Sequence, residues 1–416
     1  MIISLIVCFL LIVNTQSSKE NPLLRELSIL NSSVAPTNLD DGSIKQNRHN
    51  HTRHQNDSHH HHHSFKELKR KAKITYDKVL PCINDAWMMK SWAAINFTFP
   101  QDAEEHYKDL NNRAARFRRA RVHAYANYTG PWIENLFITN YMNKPLSFFN
   151  GLIPIFIQWI DTDIASKKDA RDINTFLKEA LKPDVLYFAV SQGDIGLGRA
   201  GTDHPNILVF SSGGYGHVPL PLIRSEVPRV QLPAKYDQEL GFFGHNTAQS
   251  RVNMLNIIKT TAESHNIRNM SYKSGEGRSW KQDMENTKLN LAPRGYGRSS
   301  FRFAESVQMG RMPVWVFDDI PWIPYEGTNL SVRTYGFAGG SSPYKDHTNL
   351  ETMVNSIKNM TDVQYINKLE LLKNARKWFT YEGVFEQIEK FLEDPFGPSG
   401  GQLRCAVHPK TERCCG

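Results

Sequence analysis

The stretch Asn290–Asp319 reads NLAPRGYGRSSFRFAESVQMGRMPVWVFDD, and its chemistry is that of an anion site. Arg294, Arg298 and Arg302 carry guanidinium forks that match phosphate oxygens. Gly295 and Gly297 let main-chain N–H groups come close to a ligand. Ser299 or Ser300 can cap a helix, and Gly310 stands where a helix C-terminal glycine belongs. The pattern predicts a strand over 289–291, a loop over 293–299, a helix over 300–309 and a strand over 312–317. Such a loop aims N–H groups and the positive end of a helix at one point. Glu305 follows Arg302 by three positions, on a neighbouring face of the helix. A carboxylate there can accept bonds from the two hydroxyls of a ribose. The combination describes a nucleotide diphosphate site; the blander alternative is a capped surface helix with an Arg302–Glu305 ion pair. No Gly-Lys-Ser/Thr follows, so this is not a Walker loop. The Gly-x-Gly-x-x-Gly spacing of a dinucleotide fingerprint also fails.

The elements that must position this loop alternate along the chain. Val185–Val190 and Ile207–Phe210 read as strands, and Asp172–Leu181 as a helix with Ile173, Phe176, Leu177 and Ala180 on one face. The proline-rich stretch Val218–Pro233 then gives way to a second block. In it Leu240–Phe243 reads as a strand, and Gln249–Lys259, Asn349–Asn359 and Asp362–Phe379 as helices, with a last helix over Val384–Leu392. Alternation of this kind predicts βα units and parallel sheets, an α/β protein of two blocks. The expected bodies are 65–235 and 236–380, with a C-terminal helix and Cys-containing tail over 381–416 that can cross back.

Composition sets the compartment. The chain has 416 residues, 40% hydrophobic and 11% aromatic, enough for ordinary cores. A net charge of +8 is mild for this length, and no nucleic-acid-reading motif accompanies it. Residues 1–17 open with MIISLIVCFLLIV, shorter than the about 20 residues of a membrane span, and fit a signal peptide or a short signal anchor. Asn-x-Ser/Thr acceptors at Asn31, Asn56, Asn96, Asn127, Asn269, Asn329 and Asn359 point to a glycosylated lumenal protein. Residues 18–64 are rich in His, Asn and Ser and read as a disordered stem whose His59–His63 run binds metal or is simply solvated. Cys82, Cys405, Cys414 and Cys415 can form two bridges in an oxidising lumen, with the pairing open.

The 290–319 stretch resembles the donor-binding signature of the exostosin family of glycosyltransferases. The matching residues are Pro293, Arg294, Gly295, Ser300, Arg302, Glu305, Gly310, Pro313, Val314 and Asp318, with Pro324 and Tyr325 where the family has Pro-Phe. Phe242–Arg251, Val190–Gly196 and Gly216–Pro221 are similar to further family segments, so the likeness runs in order from about residue 120 to 380. It implies a GT-B fold, with two Rossmann-like domains facing across a cleft. It also implies inverting transfer of a sugar from a nucleotide sugar, usually UDP-linked, to a glycan or polysaccharide acceptor, with no essential metal or other cofactor. Carried over, Arg294, Ser300 and Arg302 hold the diphosphate beside Gly295, Glu305 holds the ribose, and Arg251 approaches the same phosphates. The family's cysteines are missing at Asn290 and Arg311, and His217 replaces an Asp. The length fits a single-domain, plant- or algal-like member. A secretory, Golgi-lumenal setting follows from the leader and sequons, either signal-cleaved or anchored in the membrane.

Inverting transfer needs a base for the acceptor hydroxyl. Asp194, at the C-terminal end of a strand, and His217, in the glycine-rich loop SGGYGHVP, are the candidates. Asp161 and Asp163 form an Asp-x-Asp after an apolar run, which supports a rival, metal-dependent GT-A enzyme. A non-catalytic lumenal sugar-binding protein is the other rival. Arg113, Arg116, Arg118, Arg119 and Arg121 face either an acidic polysaccharide or solvent. Trp132, beside Glu134, either stacks on a sugar or is buried.

Overall fold

Continuous apolar runs form strands that are covered on both faces, and the computed structural model groups them into two parallel sheets. It describes residues 54–84, 97–118, 130–160, 167–198, 200, 203–233, 235–267, 270–274, 279–341 and 349–406. The leader, most of the stem, Asp161, Asp163, Arg119, Arg121, Cys414, Cys415, Asn31, Asn96, Asn127 and Asn269 lie outside these residues.

The N-terminal sheet has β1 (Ile153–Pro154), β2 (Tyr187–Ser191), β3 (Ile207–Ser211) and β4 (Val218–Pro219), in the order β1-β2-β3-β4. β2 and β3 pair from Tyr187↔Ile207 to Ser191↔Ser211, and all their residues are buried. The C-terminal sheet has β5 (Gln238–Gly244), β6 (Met270–Ser274), β7 (Thr287–Pro293), β8 (Met312–Phe317) and β9 (Phe337–Gly340). Its order is β6-β5-β7-β8-β9, and every pairing is parallel. In order of appearance this is 2-1-3-4-5, a doubly wound order that reverses direction between β5 and β7. The strands expected at 289–291 and 312–317 are β7 and β8.

The expected boundary near 235 separates the two sheets, yet Ser58–Gly416 forms one compact unit, apart from Met1–Asp57. A single apolar cluster explains this. It runs from Leu68 and Tyr76 through Phe188 and Phe210 to Phe303, Trp315 and Phe391. A second cluster lies within the C-terminal half, with Leu240, Met254, Ile258, Leu289, Val314 and Val354.

The Tyr381–Glu393 helix does cross back. Its Tyr381 hydroxyl bonds Pro131 O at 3.1 Å and Ile223 O at 3.0 Å, and Phe391 meets Phe210 edge-on at 5.0 Å between centroids. A disulfide joins Cys82 to Cys405 across 323 residues, with the Cα atoms 5.9 Å apart. It ties the His54–Asn84 helix to the tail, which settles one pairing that spacing alone left open. That helix begins at His54, inside the stretch expected to be a disordered stem, and it carries Asn56. Leu68, Ala72, Tyr76 and Val79 give it a buried stripe, so from Ser58 onward it is part of the compact unit.

The arginine cluster is largely structural where it is described. Arg113 lies 3.5 Å from Asp109 and 3.6 Å from Glu179. Arg116 stacks on Phe117 at 4.8 Å, and Arg118 bonds Asn111 O at 3.0 Å.

Candidate functional site

β7 delivers the 294–300 loop to the C-terminal edge of its sheet. Gly295 N–H donates to Ser299 O at 2.9 Å, which closes the loop on itself. Ser300 is the N-cap residue of the Phe301–Met309 helix, with extended φ and ψ of −147° and 128°. Its hydroxyl caps nothing, so its role is the backbone turn that starts the helix. Gly310 ends the helix at φ 75°, the left-handed conformation expected of a C-terminal glycine. The first-turn N–H groups of such a helix have no partner four residues back. The helix starts beyond the C-terminal end of β7 and its Arg302 bonds Phe243 O of β5, so it stands at the switch point where doubly wound sheets hold ligands.

Each loop arginine is already engaged. The Arg294 Nε bonds Asp318, and its Nη1 reaches Tyr296 O at 3.3 Å and Gly297 O at 3.2 Å. Arg302 donates from Nε to Phe243 O and from Nη1 to Glu305, and stacks on Trp280 at 4.1 Å. Arg302 and Glu305 therefore form an ion pair, but a buried one, with side chains 7% and 2% exposed. Arg251 grips three carbonyls, His245 O at 2.7 Å, Arg294 O at 3.0 Å and Pro293 O at 3.1 Å. Burial, then the nearby Arg302 and Arg294, bring Arg251 down to about 10. Arg251 is thus a brace under the loop, and Gly295 packs against it: a Cβ there would meet its Nη2 at 3.0 Å.

Arg298, grouped by sequence with Arg294 and Arg302 as a match for phosphate oxygens, has no counterpart in the resembled signature. It is buried, donates to Asp319 Oδ2 at 2.7 Å, lies 3.9 Å over the Tyr215 ring and reaches Gly214 O at 3.4 Å. Ser299 bonds Ser212 O beside it. These contacts seat the loop on the loops that follow β2 and β3. The approach is so close that a Cβ on Gly297 would lie 2.0 Å from Gly213 O and 2.8 Å from Asp194 Oδ1. Sequence reasoning missed Trp280 altogether, and for Arg298 and Ser299 it missed these contacts with the other half. The one usable signal was the SSGGYG run, whose glycines permit backbone-to-backbone contact.

Asp194 is therefore brought to the signature loop, half-buried in the turn after β2. His217 is not. Its Nδ1 accepts the Val209 N–H at 2.9 Å and its own N–H donates to Val209 O at 2.8 Å. Complete burial pulls it down to about 4. A neutral imidazole whose Nδ1 lone pair is committed to main chain cannot take up an acceptor's proton there, so of the two candidates only Asp194 keeps that geometry. Glu134 is buried next to the same region. It accepts from Ile160 N–H at 2.9 Å and from Gln192 N–H at 2.8 Å, and so ties down the start of the Asp194 turn. Trp132 is buried, not a surface platform. Among the described residues no group of three or more His, Cys, Asp or Glu side chains is placed to hold a metal ion. Asn329 and Asn359 are exposed, as acceptors for a glycan must be.

The chain matches no protein-family profile and no curated protein. It is similar to solved structures at low identity. With the crystal structure of TarM it shares 11% identity at a TM-score of 0.31, over 54% of this chain and 58% of that one. With the GtfA/B complex the values are 10% and 0.30, over 54% and 61%. With the pneumococcal O-GlcNAc transferase GtfA, crystallised with UDP and GlcNAc, they are 11% and 0.29, over 53% and 54%. The chain thus spans a little over half the length of the structures it matches.

Proposed function

We propose that the chain is a glycosyltransferase of the GT-B type, resembling the exostosin family. It moves a sugar from a nucleotide diphosphate, UDP by the family likeness, to a glycan or polysaccharide hydroxyl. One observation carries this reading. The Arg294–Arg302 loop and the helix it starts stand at the switch point between β5 and β7, with Asp194 of the other half packed against Gly297.

In this reading the C-terminal half binds the donor. Helix N–H groups and Arg294 face the diphosphate, Arg302 and Glu305 lie beneath it next to the ribose, and Arg251 keeps the loop in shape. Asp194 takes the proton of the acceptor hydroxyl as its oxygen attacks the anomeric carbon from the face opposite the leaving group. The bond from that carbon to the diphosphate oxygen breaks, and the charge left on the nucleoside diphosphate is stabilised by the loop. Inversion follows from a single displacement. The exposed Asn329 and Asn359 sequons and the Cys82–Cys405 bridge support a secretory, lumenal setting.

The test is a panel of nucleotide sugars offered to the full chain, with release of the nucleoside diphosphate as the readout. Turnover or slow hydrolysis with one donor, lost in Arg294→Ala, is expected. Absence of binding to every member of the panel overturns the proposal.

A further inference from the structure

Arg294 is the loop arginine that a ligand can best reach. Its side chain is 14% exposed, against 7% for both Arg298 and Arg302. Its position is nevertheless taken. Asp318, which follows β8, places a carboxylate oxygen on Arg294 Nε. A phosphate arriving at Arg294 therefore meets a negative charge already in its place.

The neighbouring Asp319 is differently held. Its Oδ1 accepts the Ile320 N–H at 2.6 Å and stands 3.9 Å from Arg294 Nε, and its Oδ2 bonds Arg298 Nε at 2.7 Å. Asp319 is locked by main chain and by a buried guanidinium. Among the described residues, the hydrogen-bond partner of the Asp318 carboxylate is Arg294, and this carboxylate is 23% exposed. One acid of the pair has two further hydrogen-bond partners; the other, partly exposed, has its bond to Arg294.

We propose that Asp318 is an internal competitor for the donor's diphosphate. Its carboxylate occupies Arg294 in the free protein and gives way when the diphosphate binds. The inference rests on reading this loop as the diphosphate site. The exchange leaves Arg294 paired throughout, so a partly buried guanidinium is never without an anion. It also sets a threshold: a ligand must out-compete a tethered carboxylate to enter, and the cost is the same for any ligand that uses Arg294. The opposing view makes Asp318 a brace that holds Arg294 ready for phosphate. The two views differ in sign.

The experiment is calorimetric titration of the full chain at low salt with UDP, inorganic pyrophosphate and uridine. Asp318→Asn is expected to bind UDP and pyrophosphate about five- to tenfold more tightly, the scale of losing one partly exposed ion pair, and uridine unchanged. In an Arg294→Ala background the same substitution brings no gain. Equal or weaker binding of UDP and pyrophosphate by Asp318→Asn overturns the competitor and leaves the brace. Failure of the unsubstituted protein to bind either ligand overturns the diphosphate reading itself, a different result. Asp318→Ser, titrated in parallel, decides the matter if Asp318→Asn does not fold.

Discussion

The four strands of the N-terminal sheet lie in order of appearance, whereas the five of the C-terminal sheet reverse direction between β5 and β7. The first arrangement sends its connections the same way each time. The second sends them apart and opens a crevice at the strand ends, which is where an α/β sheet accepts a ligand. The outer strands differ too: β1 and β4 have two residues each, while β6 and β9 have five and four. In the proposed reading one half holds the charged ligand, and the other presents loops to it through the turn at Asp194 and the glycine-rich run around Gly213. The buried acids show the same contrast. Glu305 is satisfied by a charged partner, Arg302, and Glu134 by two main-chain N–H groups.

Substitutions can break that division of labour. If Asp194 is the base as proposed, Asp194→Asn should cut kcat by about 10²- to 10⁴-fold while leaving nucleotide affinity in place, because the change spares the donor contacts. An equal loss of affinity, measured by titration, would mean the halves are not separate in role. Next is Glu305→Ala. It removes the carboxylate that faces the buried Arg302 charge, and the expected loss of stability is about 3–5 kcal/mol in a denaturant titration.

The third test is pH, and it acts on the N-terminal half. Burial depresses His217 in the folded state to about 4, below the ordinary value of an exposed histidine. The unfolded chain therefore binds more protons than the folded one between about pH 6.5 and 4. The stabilisation is fully present above pH 6.5 and is lost as pH falls towards 4, by about 3 kcal/mol. Urea midpoints at pH 7.5 and 5 should show that slope, and His217→Asn should flatten it. The smallest effect is at the seam. Arg298→Lys keeps the charge near Asp319 but loses the planar stack on Tyr215, at a cost of about 0.5–1 kcal/mol, readable in thermal melting.

Much of the scaffold is legible in the residues themselves. The helix at 301–309 follows from local periodicity and from the left-handed glycine at 310 that stops it, although Ser300 starts it without a side-chain cap. The strands at 187–191, 207–211 and 312–317 follow from apolar runs too continuous for a half-exposed sheet. The N-terminal edge of the body is not legible in this way. The polar, histidine-rich composition of residues 54–63 hides the beginning of a long helix, whose buried stripe opens only at Leu68.

Residue types and spacing, by themselves, determined that this chain carries a glycine- and arginine-rich loop leading into a helix on an α/β scaffold, because propensity and periodicity act over a few residues. Tertiary structure alone decided who meets whom. It set Arg298 against Tyr215, buried Glu305 on Arg302, placed Asp194 at Gly297 and committed His217 to the main chain of β3. Most of those partners are distant in sequence, and the choice among them rests on strand order and on the desolvation of charge, which no local pattern records.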